Sequence, residues 1–273
     1  MTGHRPDPDS DLPPTAEPAM RHHRMSAGPR LAKIFSIRTI LPNVVTLAAF
    51  AAGLTAIRFA AQERWELAAA SIVVAGVFDG LDGTVARLLK STSRFGAELD
   101  SLSDVVAFGV APAVVLYLWS LQALGRFGWA VGLVYAIAMA LRLARFNARL
   151  DEAETPRRRA AYFTGVPAPV GAGLAMAPLM MEFSLVGGGL AAYPLFLALY
   201  LLAVAGLSVS TLPTLSLKAV RLRRQWFPSV MLFCGVMIAG LFTHIWTTLL
   251  VMLALYLLSL PVMVLHYRRR RHR

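Results

Sequence analysis

Five acidic residues fall between Leu67 and Leu150, and all of them lie in one short window, FDGLDGTVARLLKSTSRFGAELDSLSD: Asp79, Asp82, Glu98, Asp100 and Asp104. Asp79 and Asp82 are three residues apart, and Asp100 and Asp104 are four apart. On helices each pair shares a face. The two helices that would carry them are consecutive and antiparallel, so the pairs can face each other. Four carboxylates in apolar helices are costly unless something neutralises them. Ion pairing with Arg87 and Arg94 supplies two charges against four, and both arginines lie nearer the loop. A proton or cation pathway is a second possibility. A divalent-metal site is the third and sharpest. Hard cations such as Mg²⁺ or Mn²⁺ prefer carboxylate oxygens, and two ions sharing bridging carboxylates suit phosphoryl transfer.

The glycines beside the acids fit the third reading. Gly83 follows Asp82, and Gly96 precedes Asp100 by four residues. A missing side chain next to a metal site lets a nucleotide or pyrophosphate approach the backbone closely. Arg87 and Arg94 would then address phosphate oxygens as charge-assisted donors. The alternative use of glycine here is helix packing, for which Gly76-x-x-x-Gly80 has the spacing.

The rest of the chain must hold these groups in an apolar setting. It has 273 residues, of which 57% are hydrophobic and 15% charged, and its mean hydropathy is +0.59. Soluble domains are nearer half apolar and a quarter charged. This disfavours a soluble enzyme, a disordered regulator or an extended nucleic-acid-binding tail. The net charge of +12 invites a nucleic-acid reading. The placement of the charges argues against such a partner, because lysines and arginines cluster between long apolar runs, as in cytoplasmic loops of membrane proteins.

Runs of membrane-spanning length predict helices near residues 41–60, 67–89, 98–121, 127–148, 165–183, 190–209, 227–243 and 246–265. The fold class is therefore all-α, a polytopic integral membrane bundle of about eight transmembrane helices. An even number puts both termini on one side. Arg21, Arg24, Arg30, Lys33 and Arg38 before the first helix, and Arg268 to Arg271 with Arg273 after the last, make that side the cytoplasm. The outer side keeps only Arg58, Arg64 and Arg126. The weakest joint is Phe183 to Leu190, with Gly187, Gly188 and Gly189. Residues 1–30 are rich in proline and poor in large apolar residues, which predicts a disordered cytoplasmic tail. The tail lacks the apolar core of a signal peptide. Cys234, the lone cysteine, can form no intrachain disulfide, and its apolar neighbours predict a buried, inert thiol. His244 and His266 sit at span ends as interfacial polar residues.

The spacing Asp79-x2-Asp82-Gly83-x2-Ala86-Arg87-x8-Gly96-x3-Asp100-x3-Asp104 resembles, without gap or substitution, the signature of the CDP-alcohol phosphotransferases. The resemblance covers roughly residues 36–225. It implies a catalytic membrane domain there, two additional helices over 226–267 and a basic tail over 268–273. It also implies a homodimer with a two-metal site in a cytoplasm-facing cavity, in a bacterial inner membrane. SRFGAELDSLSDVVAFGVAP, LRLARFN (Leu141 to Asn147), FTGVPAPVGAG (Phe163 to Gly173) and STLPTLSLK (Ser210 to Lys218) look like the membrane-type phosphatidylserine synthase branch. Thr84, which lies between the motif positions, stands where many such sequences carry arginine.

The resemblance implies CDP-diacylglycerol and L-serine as substrates, phosphatidylserine and CMP as products, and membrane lipids as surroundings. By carry-over Asp79, Asp82 and Asp100 are ligands of two divalent ions, Mg²⁺ or Mn²⁺. Asp104 is the general base and a further metal contact. Gly83, Arg87 and Ser93 correspond to positions around the CDP group, with Asn43 and Thr46 contacting it from the first helix. Arg142 and Arg145, with Asn147 for a polar contact, are candidates for the serine carboxylate; their alternative role is positive-inside anchoring or lipid-headgroup contact. Another acceptor (glycerol 3-phosphate, an inositol compound or choline) is served by the same signature. A cation or proton transporter is the rival from another class.

Overall fold

Each predicted apolar run forms a helix. In chain order these are α1 (Ile37–Ala61), α2 (Trp65–Leu88), α3 (Arg94–Trp119), α4 (Arg126–Asp151), α5 (Ala168–Glu182), α6 (Pro194–Val209), α7 (Phe227–Thr243) and α8 (Ile245–Arg271). The computed structural model describes residues 37–89, 93–151, 162–164, 166–210, 213–215 and 227–271. The expectations for residues 1–30, Lys90, Arg157 to Arg159, Lys218 to Arg224 and Arg273 lie outside them. Helices α1 to α4 are long and apolar enough to cross a membrane, whereas α5, α6 and α7 are shorter at 15, 16 and 17 residues. Large apolar side chains such as Leu47, Leu54, Val77, Ile137 and Leu199 stay exposed on the outward faces. Acyl chains would cover such faces at little cost, whereas water would not.

The core between the helices is built from small residues. Ala56, Ala60, Ala68, Ala69, Ala75, Ala107 and Ala111 are all buried. Small side chains let helix backbones approach closely, which is how apolar helices gain packing in lipid. One such close approach joins α1 to α3, where a Cβ on Gly53 would lie 2.8 Å from the Ala107 Cα.

That approach falls on an irregularity in α3. Residues Arg94–Asp104 are α-helical, Val105–Val110 form a π-helical stretch, and Ala111–Trp119 return to α. Pro112 supplies the physical reason, since it has no N–H to give the Phe108 carbonyl its α-helical partner. The hydroxyl of Tyr135, on α4, donates to that carbonyl at 3.0 Å, and Tyr135 is completely buried. The wider turn starts immediately after Asp104. It lets the acid-bearing end of α3 keep one rotation while the apolar end takes another.

The joint at Gly187 to Gly189 is a true break between α5 and α6. Gly187 and Gly189 adopt φ of +72° and +78°, the left-handed region that glycine enters without strain. The Glu182 carboxylate closes the turn by accepting from the Gly189 and Leu190 N–H groups, each at 2.9 Å. A short antiparallel ribbon was not expected. It pairs β1 (Tyr162–Thr164) with β2 (Pro213–Leu215), in the register Phe163 to Thr214. It therefore joins two segments that carry the branch resemblance. The expectation of a buried Cys234 is overturned, because the thiol is exposed. Its helix, α7, has no buried residue at all. Apolar neighbours in sequence mark a lipid-facing surface there, not a protein core.

Replacing Tyr135 by Phe leaves the Phe108 carbonyl without its donor. The cost expected for such a buried acceptor is about 1–3 kcal/mol. A lowered unfolding midpoint of the detergent-solubilised variant is the expected outcome, and an unchanged midpoint would contradict the role given to this bond.

Candidate active site

The site begins where α3 begins. Ser93 caps the helix in an extended conformation, and its Oγ accepts from the Gly96 N–H at 3.0 Å. A serine cap satisfies one of the orphan donors of a helix start, so α3 starts four residues before its apolar run. From there Asp100 and Asp104 face Asp79 and Asp82 near the end of α2. Carboxylate oxygens of Asp79, Asp82 and Asp100 lie within 4.8 Å of one another. Asp104 lies in electrostatic reach of Asp79 on the facing helix. Carboxylates gathered within 4.8 Å of one another call for a proton or a cation among them. An all-oxygen cluster of acids is the donor set that hard divalent cations take, so these residues fit a metal centre.

Neighbours hold the acids in place. Asp82 is 6% exposed. The Thr46 hydroxyl lies 2.8 Å from Asp82 Oδ2 and 3.1 Å from the Pro42 carbonyl. It has one proton, and the nearer, charged oxygen is the stronger acceptor. Ser103, buried on α3, donates to the Thr46 carbonyl at 3.2 Å and ties α1 to α3 beside the cluster.

Next to the acids is a cavity of about 200 Å³. Asn43, Thr46, Gly83, Arg87 and Ser93, the residues expected around the CDP group, all line it, together with Asp82 and Asp100. A Cβ on Gly83 would meet nothing within 4 Å, so the missing side chain is space open to a ligand. A Cβ on Gly96 would lie 2.9 Å from Asn43 Oδ1, so this glycine lets Asn43 sit against the start of α3. Arg87 turns back on its own helix, with Nε donating to the Gly83 carbonyl at 2.9 Å. Thr84 likewise bonds the Gly80 carbonyl on its own helix, at 3.0 Å.

The three acceptor-side candidates separate. Among the described residues, Arg142 is the cation in electrostatic reach of Asp79 and Asp104. Arg145 instead donates to the Val209 carbonyl at 2.8 Å, where it caps the end of α6. Asn147 donates to the Ser101 hydroxyl at 2.6 Å, fastening α4 to the acid-bearing turn of α3. Sequence reasoning missed Ser103, Tyr135 and the support that Thr46 gives Asp82. Their only signal is a polar residue inside an apolar run, which does not say which partner it finds.

Fold and site together define an integral membrane protein whose paired carboxylates stand beside a polar cavity. The chain belongs to the CDP-alcohol phosphatidyltransferase family, whose model matches residues 39–209. That family uses divalent metals, in keeping with the cluster. The chain is 37% identical over 227 residues to a CDP-diacylglycerol–serine O-phosphatidyltransferase of Mycobacterium tuberculosis, covering 82% of this chain and 78% of the relative. A protein of the same name from Mycobacterium leprae is 35% identical over 244 residues, covering 89% and 80%. One from Helicobacter pylori is 38% identical over 143 residues, covering 52% and 58%.

Thr46→Val keeps the shape and removes the hydroxyl that holds Asp82. Loss of such an outer partner typically costs 10–100-fold in metal affinity. Calorimetric titration with Mn²⁺ should show at least about a tenfold loss for this variant. Unchanged affinity would detach Thr46 from the metal centre.

Proposed function

We propose that this protein transfers the phosphatidyl group of CDP-diacylglycerol to the hydroxyl of L-serine, releasing CMP. The observation that carries the reading is the junction of the acidic cluster with the cavity that Asn43, Gly83, Arg87 and Ser93 line. The names of the relatives, which cover most of the chain, support serine as the acceptor.

In this reading the cytidine diphosphate group occupies the 200 Å³ cavity. Ser93 and Asn43 offer it polar contacts, Arg87 offers charge, and Gly83 leaves it room. Asp79, Asp82 and Asp100, with Asp104 beside them, would hold two divalent ions, Mg²⁺ or Mn²⁺, and the chemistry these would supply when bound is neutralisation of charge on the pyrophosphate oxygens. The serine oxygen forms a bond to the phosphorus that carries diacylglycerol, and the bond from that phosphorus to the CMP oxygen breaks. The Asp104 carboxylate takes the hydroxyl proton. A carboxylate of ordinary basicity is a weak base for an alcohol, so alignment of oxygen and phosphorus supplies much of the acceleration. Arg142 pairs with the serine carboxylate. Arg145 and Asn147 shape the acceptor side through the α6 end and Ser101.

The same proposal takes residues 36–225 as the catalytic unit, residues 226–267 as added helices, and a homodimer as the working form. The charge asymmetry of the loops supports both termini in the cytoplasm, and the bacterial relatives support an inner-membrane setting. With Cys234 replaced, single cysteines introduced near each terminus should resist an impermeant thiol reagent in intact spheroplasts. Labelling of either one from outside would overturn that orientation.

The chemistry is tested by purified enzyme given CDP-diacylglycerol and one acceptor at a time. The expected result is CMP and phosphatidylserine in equal amounts with L-serine, abolished by Asp79→Asn or Asp100→Asn. CMP release with glycerol 3-phosphate or an inositol compound, and none with serine, would sink the acceptor assignment.

A further inference from the structure

Three buried side-chain polar atoms lack any hydrogen-bond partner among the described residues: Nε and Nη1 of Arg142 and the hydroxyl oxygen of Tyr256. Folding normally leaves few such atoms, because a buried donor without an acceptor has given up its water for nothing. The three belong to one neighbourhood. Arg142 and Tyr256 lie within electrostatic reach of each other, and Arg142 also reaches Asp104 and Asp79. They come from separate helices, Arg142 from α4 and Tyr256 from α8, which is outside the stretch 39–209 matched by the family model.

Tyr256 also lines a second cavity, of about 400 Å³. Its other walls include Ile72, Gly76, Phe108, Pro169 and Leu253, which are apolar or bare. Gly76 precedes Asp79 by three residues, and Phe108 follows Asp104 by four. The phenol is thus a polar group in an apolar cavity whose walls include residues one helical turn from Asp79 and Asp104. The two Arg142 N–H groups can only donate and the Tyr256 hydroxyl can donate as well, so one acceptor group would satisfy all three. Among the described residues there is one guanidinium at this place, since Arg145 is occupied at the Val209 carbonyl. One cation and one hydroxyl in apolar surroundings suit a monoanion such as a carboxylate. A phosphate dianion would call for more positive charge.

We propose that Tyr256 is a specificity-determining residue of the acceptor subsite, its hydroxyl and the Arg142 guanidinium together binding the carboxylate of an amino-acid acceptor. This rests on the reading of serine as acceptor given above, and it assigns a binding role to the last helix. The carboxylate supplies the acceptor atoms that Arg142 and Tyr256 lack. The amino acid's hydroxyl is then presented on the Asp104 side of Arg142.

The test uses the full chain in detergent with CDP-diacylglycerol. It compares L-serine with serinol, in which a hydroxymethyl group replaces the carboxylate. Tyr256→Phe removes one oxygen and keeps the ring. Loss of a hydrogen bond to a charged group should raise the serine KM at least about tenfold. The preference for serine over serinol should fall by the same factor, with the CDP-diacylglycerol KM and the melting midpoint retained. Arg142→Lys should also raise the serine KM, and the double variant should lose less than the product of the two single effects. An unchanged serine KM in Tyr256→Phe would overturn the proposal while leaving serine as substrate. Equal losses toward serine and serinol, with a lowered melting midpoint, would also overturn it, by showing a structural role alone. Wild-type enzyme that releases CMP with a phosphorylated acceptor and none with serine would instead remove the reading on which the proposal rests.

Discussion

Four carboxylates gathered inside an apolar helix bundle set the terms for the rest of this structure. Water is not there to screen them, and carboxylates this close repel unless positive charge or a proton stands between them. The chain therefore places its acids at one end of two antiparallel helices, where a cation can reach them. It leaves Gly83 without a side chain at the same level, and it starts α3 on the Ser93 cap so that Asp100 and Asp104 meet Asp82 and Asp79. Supporting bonds converge on the same place. Thr46 steadies Asp82, Ser103 ties α1 to α3, and Asn147 ties α4 to Ser101. The π-helical stretch, with Tyr135 serving the Phe108 carbonyl, separates the rotation that the acids need from the packing that Ala107 makes against Gly53.

Much of this was legible in the residues. The apolar runs marked eight helices because lipid-exposed backbone must satisfy its hydrogen bonds internally, and length then decides. The acid spacing identified the cluster because helical periodicity dictates which side chains share a face. The cavity lining was legible for Gly83 and Arg87 from their place beside the acids, and for Asn43, Thr46 and Ser93 only through family resemblance. What could not be read was partnership across distant segments. Nothing local to Arg145 says that it caps α6, and nothing local to Arg142, three residues earlier, says that it does not. Tyr256 sits in an unbroken apolar run, and its place beside Arg142 depends on how α8 packs. Cys234 shows the opposite error. Apolar neighbours were taken as a sign of burial, but in a membrane helix they also describe the outside.

Family membership and physical argument support different parts of the account. The match over residues 39–209 covers the helices that carry the acids and the cavity, and the relatives named for serine transfer extend over most of the chain. The physics explains why the signature has its shape. Acids three or four apart make a face, a glycine after the second acid opens a space, and a serine cap fixes the start of the next helix. The acceptor side follows no such compact motif. Its candidate groups come from α4 and α8, where separate helices must pack before any pocket exists.

The central claim is that the Asp79, Asp82, Asp100 and Asp104 cluster and the adjoining cavity act as one site for divalent ions and the CDP group. Anomalous diffraction from crystals grown with Mn²⁺ and a non-hydrolysable CDP-diacylglycerol analogue tests it directly. The account predicts manganese peaks among these four carboxylates, with the pyrophosphate in the cavity lined by Gly83, Arg87 and Ser93. A nucleotide bound elsewhere, or manganese bound away from the aspartates, would contradict it.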